Sequence, residues 1–157
     1  MTIQINIGDH VSTEVGYISF PMKYLPDMRW ARKKARAIAA RIPSADVYFR
    51  ALPDGKSLTT LLQDNSIWIN YHPTMPHFGE TNQVSGKEIA ISIGACRIGR
   101  WTMLATLIHE LAHVNGAPGG TDRKAEEALL ACGLGKKSEH RRGVDDPYTP
   151  FSPDIEG

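Results

Sequence analysis

The sequence predicts an α+β fold in a single domain. Three observations carry this. Apolar and polar residues alternate in "SIWINYH" (66–72) and "KEIAISIGA" (87–95), apolar residues recur at helical spacing over 27–42 and 100–115, and 157 residues is the length of one domain. The composition, 41% hydrophobic and 22% charged, is that of a chain that buries a core rather than one that stays unfolded.

In chain order, "TIQINI" (2–7) and "EVGYISF" (14–20) are rich in β-branched and aromatic residues and read as strands. A helix follows over 27–42, with Pro26 before it and Pro43 after it. Met28, Ala31, Ala35, Ile38 and Ile42 form its apolar stripe, and Arg29, Arg32, Lys33 and Arg36 lie opposite. "ADVYFRAL" (45–52) reads as another strand, closed by the turn Pro53-Asp54-Gly55, and "SLTTLLQ" (57–63) as a short helix. The segment 73–86 has two prolines and two glycines and reads as a loop. Over 100–115 the inward residues are Trp101, Leu104, Ala105, Ile108, Leu111 and Ala112, and a second helix is expected over 121–132. Residues 1–140 make the domain, and 141–157, rich in proline, make an extended C-terminal tail.

Bulk properties exclude several classes. A net charge of +1 gives no overall pull toward nucleic acid or anionic membrane. Residues 23–41 do hold seven Lys or Arg against the single acid Asp27. Without an aromatic platform or a known nucleic-acid motif, that face reads as solvated, and a nucleic-acid partner is not expected. The N-terminus lacks a basic region followed by an apolar core, and no apolar run reaches the roughly 20 residues of a membrane span. The expected location is therefore the cytoplasm, or outside after export by a dedicated secretion system, with no membrane partner. Cys96 and Cys132 do not make a disulfide framework and read as buried thiols. His72, His77 and Glu80, in or beside the 73–86 loop, read as loop residues, with a second metal site or a substrate rim as the alternatives.

The chemistry is concentrated in "LIHELAHVNGAPGGTD" (107–122). His109 and His113 are four residues apart, so on a helix they stack on one face about 6 Å apart and can share one ion. Glu110 is rotated about 100° from His109 and can stand beside that ion as a base for an activated water. If Gly116 ends the first helix and Thr121 caps the second, the chain returns as a helical hairpin. Asp122 and Glu126 then share a face toward the ion, while Glu127 points away.

"LIHELAH" resembles the active-site helix of zincin metallopeptidases. The resemblance implies a small twisted mixed sheet, a backing helix, an active-site helix carrying H-E-x-x-H, and an edge strand that pairs with extended peptides. The segments 27–42, 45–52, 66–72, 87–95 and 100–115 would supply that core. Position 119 is Gly, which removes the metzincin pattern, and Glu126 and Glu127 come too early for the thermolysin-like one. "GGTD" places Asp122 nine residues past His113, as in the aspzincins, of which deuterolysin is the type. The Tyr-Gly that follows in that group is missing here, and Tyr71 and Tyr148 are the candidate replacements. The resemblance implies one Zn2+ on His109, His113 and Asp122, with Glu126 as the alternative third ligand and Glu110 as general base. The expected activity is zinc-dependent endopeptidase action on a protein or peptide substrate, as a delivered effector or toxin or a prophage protease. The alternatives are a non-catalytic zincin-fold binding protein and a zinc-dependent amidase acting on a non-protein amide.

Overall fold

The computed structural model describes residues 1–120 and 122–134. Among these residues a small mixed sheet combines with six helices, in keeping with the α+β expectation. The expected 141–157 tail, the cap at Thr121 and Tyr148 lie outside the described residues.

The sheet has four strands: β1 (Gln4–Ile5), β2 (Trp68–His72), β3 (Gly79–Thr81) and β4 (Glu88–Ser92). Their order is β1-β2-β4-β3, with β1, β2 and β4 parallel and β3 antiparallel at the edge. In β2 and β4, Ile69, Ile89 and Ile91 are fully buried, so these central strands form the floor of the core.

Helix α1 (Leu25–Arg41) buries Met28, Ala31, Ala35 and Ile38, four of the five residues in the stripe predicted from spacing; the fifth, Ile42, lies past the helix end as its C-cap and is half-buried. It packs along α5 (Arg100–Val114), which also touches β3, β4, α4 (Ile93–Ile98) and α6 (Lys124–Ala131). Enclosed in this way, α5 buries eleven residues, among them Leu104, Ile108, Leu111 and Glu110. The short helix is α3 (Leu58–Leu62), where the Ser57 hydroxyl accepts from the Thr60 amide as a cap.

Several expectations are corrected. Residues 45–52 are not a strand. Pro43–Arg50 form helix α2, with proline in the first turn, Asp46 near its start and Arg50 at its end. Ala45 and Phe49, four residues apart, are buried, whereas Val47 is 65% exposed, which is a helical pattern rather than an alternating one. The segment 14–20 contributes only one bridge, Ile18 to Tyr71, because Gly16 turns the chain at φ +85°. The 73–86 loop contains β3. Strand 87–95 ends at Ser92, whose hydroxyl accepts from the Ala95 amide and starts α4. Cys96 and Cys132 are both free and buried. No helix among the described residues is long and apolar enough to cross a membrane.

Candidate metal centre

Helix α5 ends in a Schellman turn. The Ala117 amide donates to Ala112 and the Gly116 amide to His113, with Gly116 at φ +91°. A Cβ on Gly116 would crowd Pro53 and Asp54, so glycine is needed for space as well as conformation. The turn brings the Ala117 carbonyl 2.8 Å from Nδ1 of His113. A carbonyl only accepts, so Nδ1 carries the proton and Nε2 is left with a lone pair.

That lone pair faces His109. The two Nε2 atoms are 3.2 Å apart, with the rings inclined at 69°. Two nitrogens bound to one tetrahedral zinc, each at about 2.05 Å, would stand about 3.3 Å apart. The spacing of the two imidazoles therefore fits a shared ion. Glu110 completes the group, with one ligand atom from each of the three residues within 4.8 Å of the others.

Glu110 is only 4% exposed, although the two histidines of the motif are half-buried. Gly79 accounts for this, because a Cβ there would overlap Thr106 and press on Glu110, so only glycine lets β3 lie this close to α5. Two residues on, Thr81 faces the same way. Its hydroxyl lies 3.3 Å from Oε1 of Glu110 and 3.2 Å from the Glu110 carbonyl. Burial pushes the Glu110 carboxyl up to about 8; the Thr81 hydrogen bond opposes this, and the charges of Glu80 and Glu126 add to it. A carboxyl shifted by burial, beside two imidazoles that could share an ion, makes this group the candidate site.

The helix end is tied down by contacts that the motif alone does not reveal. The Ser85 amide donates to the His113 carbonyl at 2.9 Å, and its hydroxyl bonds Asp54. Ser85 holds φ at +63°, the sole non-glycine residue at positive φ among those described. Asn115 is fully buried; it donates to the Phe49 and Lys56 carbonyls and accepts from the Lys56 amide.

The two candidate third ligands stand differently. Neither belongs to the compact His109–Glu110–His113 group. Both oxygens of Asp122 bond Lys124, one to its amide and one to its ammonium, each at 2.9 Å. Those bonds, with a weaker attraction to His113, hold the Asp122 carboxyl below the ordinary range. Glu126, on α6, has its Oε2 buried without a hydrogen-bond partner. Among the described residues nothing satisfies this buried oxygen.

The other candidates are not brought to the centre. His72 Nδ1 accepts from the Thr74 and Met75 amides, and Glu80 accepts from Tyr17 at 2.7 Å. By strand alternation Glu80 faces away from Gly79, Thr81 and α5. His77 is exposed in the loop. Tyr71 is 5% exposed and packs against Phe20 and Tyr24, in the core. Across known proteins, no family model, no curated protein and no solved structure matches the chain.

Proposed function

We propose that this chain is a zinc-dependent metallopeptidase of the zincin type. The observation that carries the reading is a Glu110 carboxyl buried against Thr81, beside two imidazoles whose Nε2 atoms lie 3.2 Å apart. A site that merely binds a structural metal has no use for such a carboxyl.

His109 and His113 would hold the zinc through Nε2. Glu126 is proposed ahead of Asp122 as third ligand, because its Oε2 is buried with no hydrogen-bond partner among the described residues whereas Asp122 is committed to Lys124. When bound, zinc would supply Lewis acidity, polarising the scissile carbonyl and lowering the pKa of water to about 7. The remaining work falls to the chain. Glu110 takes the proton of the attacking water and returns it to the departing amine nitrogen, as a base and then an acid. Thr81, bonded to Oε1, holds that carboxylate in position. The Ala117 carbonyl fixes the tautomer of His113. Strand β3 lies at the sheet edge above the helix, and its outer side can pair with an extended peptide by main-chain hydrogen bonds.

The test ranks the ligands and the base separately. Zinc titration against a competing chelator should show a larger loss of affinity for Glu126→Ala than for Asp122→Ala. The reverse order would return the third-ligand role to Asp122. Glu110→Gln should keep its zinc yet lose nearly all hydrolysis of a peptide library, because the amide cannot accept the proton. A zinc-loaded variant that cleaves at the parental rate would remove the general base and the proposal with it.

A further inference from the structure

Helix α1, with Lys23 just before it, concentrates positive charge. Residues 23–41 have seven cations and one acid, a net +6, while the whole chain is +1, so the remainder is −5. Arg29, Lys33 and Arg36 are exposed and lie at i, i+4 and i+7, forming one stripe about 10.5 Å long on the outer face. Among the described residues none of these three enters an ion pair. Like charges at i,i+4 repel by a few tenths of a kcal/mol per pair. The burial of Arg32, with Arg29 and Arg36 beside it, lowers its hold on its proton. The helix therefore keeps an arrangement that works against its own stability.

Two further features flank the stripe. Beside it, between α1 and α3, lies an open groove of about 480 Å³, with Lys33 and Arg36 on one wall, Gln63 on the other and Ala37, Ala40 and Leu62 between them. At the N-terminal end of the stripe, Trp30 and Trp101 pack edge to face at 5.0 Å. The Arg100 guanidinium lies 4.3 Å over Trp30, and the Lys34 ammonium 5.7 Å over Trp101. The one tryptophan of α1, Trp30, is thus joined by Trp101 of α5.

We propose that this face of α1 binds the phosphodiester backbone of a nucleic acid, with Arg29, Lys33 and Arg36 as phosphate contacts. Guanidinium groups match phosphate oxygens in pairs, which suits the arginines here. A membrane surface is a poorer fit, because the exposed large apolar residues include none from Leu25–Arg41 to enter the acyl layer. The proposal is independent of the metal centre and holds whether or not the chain cleaves peptides.

The experiment uses the full chain and fluorescence anisotropy with labelled DNA, single-stranded and duplex, of about 30 nucleotides, across 50–200 mM salt, the range in which counterion release is read. The parent should bind at least one of the two with affinity that falls linearly in log salt. The triple variant Arg29→Gln, Lys33→Gln, Arg36→Gln should bind more weakly, with a log–log slope lower by roughly 2 for the single strand or 3 for the duplex, at about 0.7 or 0.9 per contact. A matched variant, Arg50→Gln, Lys56→Gln, Arg97→Gln, removes three exposed cations elsewhere and should bind as the parent does. The proposal is overturned by no binding to either DNA at low salt, or by equal losses in the two triple variants. It is also overturned if phosphatidylserine vesicles bind more tightly than both DNAs. Unchanged melting in the variants separates a lost contact from a lost fold.

Discussion

Replacing Glu110 with glutamine should stabilise the metal-free protein, and by an amount that depends on pH. The Glu110 carboxyl moves from 4.5 to about 8 on folding, chiefly through burial. Below pH 4.5 it is protonated in both the folded and the unfolded chain, so it imposes no penalty. As pH rises from 4.5 to 8 the unfolded chain loses its proton while the native chain keeps it, and folding is progressively disfavoured. At about 1.4 kcal/mol per pKa unit the penalty is about 3 kcal/mol at pH 7 and approaches about 5 kcal/mol above pH 8. Glutamine has the same shape and no proton to lose. Glu110→Gln should therefore match the parent near pH 4 and exceed it by about 3 kcal/mol at pH 7, which for a chain of this length raises Tm by about 6–12 °C. Urea denaturation of chelator-treated protein at several pH values measures this directly. Equal stability of parent and variant across that range, or a parent that gains stability as pH rises, would refute the buried neutral carboxyl. A gain in stability together with a loss of hydrolysis is the signature of a group kept for chemistry rather than for folding.

Other outcomes follow from the same geometry. The protein supplied with zinc should hold about one ion per chain, and His109→Ala or His113→Ala should remove most of it by elemental analysis. Gly79→Ala should cost about 1–3 kcal/mol by overpacking, because its Cβ would meet Thr106 and Glu110; an unchanged melt would show that β3 does not lie so close. Asn115→Ala should cost about 2–3 kcal/mol in urea denaturation, since it strands the Phe49 and Lys56 carbonyls and the Lys56 amide.

What the sequence made legible was periodicity and local spacing. The stripe on α1 and the His109–His113 pair needed no tertiary information, and both appear where their spacing put them. Gly116 was readable as a helix stop because a positive φ there ends the ladder. Segment 45–52 failed because Val47, Tyr48 and Phe49 favour strands on propensity, while Pro43 and the burial of Ala45 and Phe49 favour a helix, and packing decided. Strand β3 was hidden because three residues, one of them glycine, are too few to show alternation. Its pairing is supplied by Ile89–Ile91. The contrast between Glu126 and Asp122 was out of reach for a different reason. Spacing put both carboxylates on one face of a helix starting at Thr121, but α6 starts at Lys124, Asp122 precedes it and is spent on Lys124, and Glu126 Oε2 is buried with no partner among the described residues.

The Schellman turn at Gly116 has a consequence for how the His109–Glu110–His113 group could take up an ion. An imidazole on a free surface helix must be stopped from rotating and from offering the wrong nitrogen before it can coordinate, and that ordering weakens metal capture. Here the carbonyl of Ala117, set by the same two hydrogen bonds that end the helix, already holds the His113 ring by Nδ1. The ordering of that ring therefore falls on folding rather than on metal capture. A side chain at position 116 would act at a distance, swinging the Ala117 carbonyl away and leaving a helix that still folds around a histidine no longer committed to one face.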